Sequence, residues 1–303
     1  MRTSPAKLSV LILIVLAVGS GIFFALRGKP QPPVAPVEAP KPLEPVRTVI
    51  GSSVEGRNIE SFTYGTGAKK LAFVGGIHGG YEWNSVLLAY RLMDYLRQNL
   101  DAIPKDLTVI VIPDANPDAV FKATGKEGRF DVADVSTSTK VLEAARFNAH
   151  NVDLNRNFDC KWKSKSAWRS KTVNAGTKAF SEPEAAVIRD LALNEKPEAM
   201  IFWHSQSNAV YASQCADGIL PETLSIMNAY SKASGYPAVK TFDAYATTGA
   251  ADDWLASIRI PAITVELSTH QSIEFDRNLK GVKALFKRYG NASTPAGQIE
   301  RTN

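Results

Sequence analysis

The chain has 303 residues, of which 45% are hydrophobic, and a formal net charge of +5 from 35 basic and 30 acidic side chains. These values are typical of one large or two small globular domains. The excess of positive charge is small, and no basic run is interleaved with aromatic residues, so we exclude nucleic-acid binding as the function.

The N-terminal segment does not have the composition of a folded domain. After a short tail of residues 1–7, Leu8–Leu26 contains no charge and is long enough to cross a bilayer as a helix. Its end, Phe23–Arg27, is a poor signal-peptide cleavage site, so we expect an uncleaved transmembrane anchor at residues 8–26. Residues 27–47 hold seven prolines and predict an extended linker. We expect the protein to be membrane-anchored, with an extracytoplasmic domain (periplasmic or at the cell surface) at residues 48–290 and a flexible tail at 291–303.

The two cysteines, Cys160 and Cys215, bear on the same question. An even pair in an exported domain favours one disulfide, and two buried free thiols are the alternative.

Strands and helices alternate along the expected domain. In chain order the patterns predict strand Leu71–Val74, helix Trp83–Arg97, strand Leu107–Ile112, helix 183–194, strand Ala199–Trp203, helix Leu220–Ser234, strand Ala262–Leu267 and helix Glu274–Tyr289. Ser181 and Glu184 have the spacing of a capping box at the start of the second predicted helix, 183–194. The fold class is therefore α/β, a single domain with a mostly parallel twisted sheet flanked by helices.

Ionisable residues gather at the predicted carboxyl ends of these strands, where α/β sheets bind ligands. His78 and Glu82 follow the first strand, His204 follows the third, and Glu266 lies near the end of the fourth. Two histidines and one glutamate with a fourth position open to water form a catalytic zinc set. The alternatives are structural histidines and a Glu82 carboxylate that interacts with the dipole of the following helix. A carboxylate between Val265 and Leu267 is costly to bury without a partner or a function.

The segment Asn151–Phe158, with Arg146 upstream, contributes two guanidiniums and several amides. Guanidinium groups suit bidentate binding of a carboxylate and stabilisation of an oxyanion. A surface turn with solvated arginines is the alternative.

Taken together, these segments resemble the zinc metallocarboxypeptidases of the carboxypeptidase A/B type. The matching pieces occur in family order: His78 with Glu82, Pro113–Asp118, Val152–Phe158, His204, Tyr245-x-x-x-Gly249-x-x-x-Asp253-Trp254, and Thr264–Leu267. The resemblance implies a mixed, mostly parallel sheet and one zinc ion per chain. It further implies a role for each matched residue: His78, Glu82 and His204 as ligands, Glu266 as general base, Arg146 for the oxyanion, Asn155 and Arg156 for the substrate's terminal carboxylate, Tyr245 as a closing side chain, and Asp252 at the base of the side-chain pocket.

One spacing departs from the family. Its members usually have His-x-x-Glu, whereas His78 and Glu82 are separated by one more residue. Gly79 and Gly80 have the conformational freedom to absorb it. An aspartate at position 252 favours a basic side chain or the amine of diaminopimelate, although Asp252 at a helix N-terminus is an alternative explanation.

The expected function is hydrolysis of a C-terminal peptide amide, or of an amide in a peptidoglycan stem peptide, by metal-activated water. The alternatives are a murein peptide amidase cleaving γ-D-glutamyl-diaminopimelate bonds, an N-acyl amino acid deacylase, and an inactive module that binds wall peptides. The anchor and the linker favour the peptidase over the deacylase, because small metabolites are usually processed in the cytoplasm.

Overall fold

The computed structural model describes residues 44–290, apart from the side chain of Leu100. The expected anchor, most of the expected linker and the expected C-terminal tail lie outside these residues. Within residues 44–290, no helix has the length and hydropathy needed to cross a membrane.

Residues 44–290 contain ten strands and seven α-helices. The strands are β1 (Val46–Ser52), β2 (Asn58–Tyr64), β3 (Lys69–Val74), β4 (Leu107–Ile112), β5 (Lys165–Trp168), β6 (Lys171–Asn174), β7 (Ala199–Ser205), β8 (Ala209–Ala212), β9 (Ala238–Val239) and β10 (Ala262–Leu267). The helices are α1 (Trp83–Gln98), α2 (Pro117–Thr124), α3 (Thr139–Ala144), α4 (Pro183–Glu195), α5 (Pro221–Ser234), α6 (Ala251–Ser257) and α7 (Phe275–Gly290).

Eight strands form one mixed sheet in the order β1-β2-β4-β3-β7-β10-β8-β9. The four central strands, β4, β3, β7 and β10, are parallel to one another. The antiparallel pairs join β1 to β2, β2 to β4 and β8 to β10. Strands β5 and β6 form a separate hairpin.

The central strands bury both faces, as expected for parallel strands covered by helices. In β3, Leu71 and Phe73 pack in one core with residues of α1, α5 and α7, whereas Ala72 and Val74 pack in a second core with residues of α4 and α6. Strand β7 repeats this alternation, with its odd-numbered and even-numbered residues in different cores. Burial on two faces explains why these strands are continuous apolar runs in the sequence.

The α/β fold and its mostly parallel sheet are as predicted, and each predicted strand and helix occurs within two residues of its expected bounds. The prediction of a capping box formed by Ser181 and Glu184 was wrong. Helix α4 begins after Glu182 without a side-chain cap, because Ser181 instead donates to the Glu182 carboxylate and Glu184 accepts hydrogen bonds from Val54 and Asn148. The first strand begins at Val46, two residues before the expected start of the domain.

Candidate active site

The carboxyl ends of three adjacent parallel strands bring the candidate catalytic residues together. His204 lies in β7, and its Cα is paired with that of Glu266 in the neighbouring β10. His78 follows β3 on the other side of β7. Strand order and register therefore place the two histidines and Glu266 at one edge of the sheet.

His78, Glu82 and His204 form a compact buried cluster. One oxygen of the Glu82 carboxylate lies 2.8 Å from His78 Nδ1, and the other lies 2.9 Å from His204 Nδ1. The two Nδ1 atoms are 3.1 Å apart. Four donor atoms thus face one another, and the backbone N–H of Ser205 donates to the same carboxylate at 3.2 Å.

A single 3-10 turn at Gly79–Glu82 accommodates the longer spacing between the first two ligands. Gly79 has φ +44°, and a Cβ on it would lie 2.3 Å from the Ala119 Cβ. A Cβ on Gly80 would lie 2.2 Å from the Ala123 Cβ. The turn therefore packs directly on α2 with no room for side chains. Glu82 is the residue before α1 but makes no capping hydrogen bond, so its carboxylate points to the histidines rather than to the helix.

The electrostatics of the cluster fit a cation. Burial acts to raise the pKa of Glu82, but His78 and His204 hold that pKa well below its usual range. Burial acts to lower the pKa of His204, and the charge of Glu82 raises it overall. Zinc is bound tetrahedrally at about 2.0–2.2 Å by imidazole nitrogen and carboxylate oxygen, so its ligand atoms lie roughly 3.4 Å apart. The donor types match that requirement, and the ligand atoms, at 2.8–3.1 Å from one another, lie a few tenths of an ångström closer together than in a zinc site.

Asp153 connects the cluster to Arg146. Its carboxylate accepts hydrogen bonds from Arg146 Nε at 3.1 Å and Nη2 at 3.0 Å, and lies 3.3 Å from His78 Nε2. Burial acts to raise the pKa of Asp153, but Arg146, Arg156 and His78 lower it well below the usual range. Arg146 Nη1 lies 3.5 Å from the Glu82 carboxylate. A guanidinium is therefore fixed beside the metal-binding atoms.

Asn155 and Arg156 are held by the backbone around them. Arg156 Nε donates to the Ala167 carbonyl at 3.1 Å, and Nη1 donates to the Asn155 carbonyl at 2.6 Å. The Asn155 side chain accepts from the Ala251 N–H at 2.9 Å, which ties this segment to the start of α6.

A cavity of about 660 Å³ opens beside the cluster and joins the predicted site residues. It is lined by residues with a predicted role and by others without one; the predicted residues are His78, Glu82, Arg146, Asn155, Arg156, His204, Tyr245, Asp252 and Glu266. Tyr245 packs against Phe242 with ring centroids 4.8 Å apart. All nine predicted noncysteine site residues thus meet in one pocket.

Two adjacent aspartates of α6, Asp252 and Asp253, lie in the pocket lining. Asp252 accepts a hydrogen bond from Thr264 at 3.0 Å, and Asp253 accepts one from the Gln214 N–H at 2.8 Å. Burial and then the charge of Asp252 raise the pKa of Asp253 to about 8. Burial raises the pKa of Asp252 as well, but its hydrogen bond from Thr264 and the charge of His204 act to lower it, so we expect Asp252 to carry the negative charge of the pair.

A disulfide between Cys160 and Cys215 supports this end of the pocket. Cys215 follows Gln214, and the Cys160 carbonyl accepts a hydrogen bond from the Gly249 N–H at 2.8 Å. The bridge therefore lies next to both the Asp253 contact and the segment that contains Tyr245.

Glu266 stands at the pocket wall with few partners. One of its oxygens accepts a hydrogen bond from the Ser207 N–H at 3.2 Å. Burial and then the negative charge of Glu82 raise its pKa to about 7. A carboxylate with such a pKa both accepts and returns a proton readily at neutral pH.

Three residues with clear contacts in the site received no role from the sequence. Asp153 lies inside the recognised segment Val152–Phe158, so its position was visible although its bond to Arg146 was not. Trp168 and Tyr81 flank Arg146, with the guanidinium carbon 4.6 Å and 5.8 Å from their ring centroids. Nothing in the polar pattern around Trp168 signals this contact.

Comparisons with known proteins agree with this geometry. A family model described as zinc carboxypeptidase matches residues 44–280. The chain is 24% identical over 242 residues to the gamma-D-glutamyl-L-diamino acid endopeptidase 1 of Lysinibacillus sphaericus, a match covering 73% of this chain and 60% of that protein. It is 34% identical over 160 residues to the carboxypeptidase B of Helicoverpa zea, covering 48% of this chain and 36% of that protein. The matches thus span less than two thirds of either relative.

The fold is also similar to that of a solved structure. The crystal structure of the carboxypeptidase A from Helicoverpa armigera superposes with a TM-score of 0.65 at 18% identity, covering 82% of this chain and 69% of that one.

We predict that Asp153→Asn weakens zinc binding by about 10- to 100-fold, because the partner that orients His78 and neutralises Arg146 loses its charge. Competition with a chromophoric chelator measures the affinity, and circular dichroism checks the fold. Asp159→Asn, at the exposed position directly after this segment, is the matched control and leaves the affinity unchanged. Equal affinity in a folded Asp153→Asn variant contradicts the assigned role.

Proposed function

Because the chain belongs to the zinc carboxypeptidase family, we propose that it is a zinc hydrolase that cleaves the amide before a C-terminal residue of a peptide. One observation supports this most strongly. The His78–Glu82–His204 cluster, a weakly held carboxylate and three guanidiniums line the same cavity.

His78, Glu82 and His204 would hold the zinc ion, which when bound polarises a carbonyl and lowers the pKa of water to about 7. Glu266 accepts a proton from the attacking water and returns it to the leaving amine, as its raised pKa allows. The Arg146 guanidinium, fixed by Asp153, stabilises the negative charge that develops on the carbonyl oxygen.

The remaining pocket residues bind the substrate in this proposal. Asn155 and Arg156 bind its terminal carboxylate, since Arg156 makes no ion pair within residues 44–290 and faces the cavity. Tyr245, which is half-buried beside Phe242, closes over the bound residue. Asp252 binds a positively charged side chain at the base of the pocket.

A wall peptide is the substrate that these features favour. Diaminopimelate offers both a carboxylate for Arg156 and an amine for Asp252. The Lysinibacillus sphaericus relative, a gamma-D-glutamyl-L-diamino acid endopeptidase, supports the same class of substrate. Cleavage of the γ-D-glutamyl-diaminopimelate amide is therefore the second candidate function, and it uses the same residues. The charged residues of the pocket favour an active enzyme over an inactive binding module, and the expected anchor and linker favour a peptidase over a deacylase.

We also propose that the enzyme is tethered to a membrane and acts outside the cytoplasm. The uncharged run Leu8–Leu26 and the Cys160–Cys215 disulfide support this location. Fractionation of cells expressing the full chain tests it. Association with membranes that resists carbonate and is lost on deleting residues 1–26 is expected, and a chain recovered in the cytoplasmic fraction contradicts the proposal.

We predict that Glu266→Gln lowers kcat by about 10²- to 10⁴-fold, because the amide cannot accept the proton of the attacking water. Steady-state release of C-terminal residues from a panel of basic, aromatic and diaminopimelate-ended peptides measures the effect, and elemental analysis checks that zinc is retained. Glu198→Gln removes an exposed carboxylate and serves as the control, with unchanged kcat. Unaltered turnover in a zinc-loaded Glu266→Gln variant contradicts the mechanism.

We predict that Asp252→Asn removes most of the preference for substrates with a basic or diaminopimelate C-terminal residue over an aromatic one. A buried charge-assisted contact contributes about 1.5–3 kcal/mol, or roughly a 10- to 100-fold change in the kcat/KM ratio. Asp253→Asn is the matched comparison and changes the ratio less, since Asp253 is the protonated partner. A larger effect of Asp253→Asn, or no preference in the wild type, contradicts this assignment.

A further inference from the structure

The β5–β6 hairpin contributes a cation to the mouth of the pocket. Its turn joins Trp168 to Lys171 through Arg169 and Ser170, and both turn residues line the cavity. Arg169 is exposed and has φ +54°, so the left-handed backbone of the turn sets the direction of its side chain. Its Nη2 donates to the Tyr81 hydroxyl at 3.2 Å.

These contacts place Arg169 next to the groups that act on the scissile carbonyl. Its guanidinium carbon lies 5.6 Å from the centroid of the Trp168 ring, and Arg146 packs against the same ring at 4.6 Å. The Tyr81 ring packs edge-on against the Trp168 ring, with ring centroids 5.2 Å apart. Tyr81 directly precedes Glu82 in the chain. Arg169 therefore adjoins the Arg146 side of the metal-binding cluster. Asn155, in contrast, is tied to α6, which contains Asp252.

The arginines of the pocket differ in how their charges are compensated. Arg146 forms ion pairs with Asp153 and Glu82. Within the described part of the chain, neither Arg156 nor Arg169 forms an ion pair, whereas Lys171 of the same hairpin pairs with Glu143. Two uncompensated guanidiniums in one cavity fit a substrate with two carboxylates. The terminal carboxylate accounts for Arg156 only.

We infer that Arg169 binds a carboxylate on the residue that precedes the cleaved amide, so that the preferred substrates are acidic at that position. The inference rests on the proposed function, which puts the scissile carbonyl beside Arg146. A γ-linked glutamyl residue meets the requirement, because its amide uses the side-chain carboxyl and leaves the α-carboxylate free. This free α-carboxylate would be the partner of the Arg169 cation, which the Tyr81 hydroxyl holds at the mouth of the pocket.

Two matched substrates test the inference. N-acetyl-γ-D-glutamyl-X and N-acetyl-4-aminobutanoyl-X differ only in the α-carboxylate, where X is the C-terminal residue released fastest from the peptide panel. N-acetyl-Glu-X and N-acetyl-Gln-X form a second pair with an ordinary peptide bond. The full-length enzyme is compared with Arg169→Asn, which removes the charge but tolerates a positive φ. Arg169→Lys keeps the charge, and Lys165→Gln removes one charge from the same hairpin away from the turn.

The ratio of kcat/KM between the acidic and the neutral substrate is the measured quantity. A charge-assisted contact predicts a ratio about tenfold or more above unity in the wild type and in Lys165→Gln. Arg169→Asn is expected to bring the ratio close to unity, because kcat/KM falls more for the acidic substrate than for the neutral one, and Arg169→Lys is expected to restore part of the ratio. A ratio that Arg169→Asn leaves unchanged, or a wild-type preference for the neutral substrate, overturns the inference.

A binding measurement separates this inference from the proposed function. If neither the panel nor any member of the two pairs is cleaved, the proposed hydrolysis fails, and calorimetric titration of the same dipeptides with lysine as X tests whether Arg169 binds the carboxylate. Tighter binding of the acidic dipeptide by the wild type than by Arg169→Asn then supports the subsite. Equal binding of the acidic and neutral dipeptides overturns it.

Discussion

The Glu82 carboxylate lies between two imidazoles, and only 2% of the residue is exposed. Most contacts of the site depend on the burial of this charge. An ionised carboxylate is costly to bury unless nearby charges and hydrogen bonds compensate it. Here His78, His204 and the Ser205 N–H do so at distances of 2.8–3.2 Å. The close packing of Gly79 and Gly80 on α2 brings the carboxylate to the histidines across the longer spacing. The same four donor atoms suit zinc, so one constraint explains both the local backbone and the metal preference.

The charged groups around the cluster differ in whether the protein itself neutralises them. Asp153 neutralises Arg146 and orients His78, which leaves Arg146 as a fixed donor rather than a mobile surface charge. Arg156 and Arg169 have no such partner among residues 44–290, and the Asp252–Asp253 pair holds one negative charge. Two free guanidiniums and one free carboxylate are complementary to a substrate with two carboxylates and one amine. Substrate selection in this account follows from which charges the fold leaves unpaired.

Much of the fold was predictable because its centre is apolar and regular. Strands β3, β4, β7 and β10 are buried on two faces and therefore stand out as continuous hydrophobic runs, with His78, His204 and Glu266 at their ends. Among the elements that were not predicted, strand β1 is largely exposed and the β5–β6 hairpin is mostly polar. The ion pair of Asp153 with Arg146 depends on tertiary contacts that no spacing encodes. The capping box failed for a similar reason, because Glu184 is recruited by Val54 and Asn148 from distant parts of the chain.

The zinc content of the purified protein decides whether the buried His78–Glu82–His204 cluster is a metal site. Elemental analysis of the purified full-length protein, before and after dialysis against a chelator and again after reconstitution, gives the zinc bound per chain. We expect about one zinc per chain that is removed by the chelator, restored on reconstitution, and absent from His204→Ala. A folded wild-type protein that binds no zinc, or that binds it equally well without His204, contradicts the account, because the buried cluster would then be a structural network rather than a metal site.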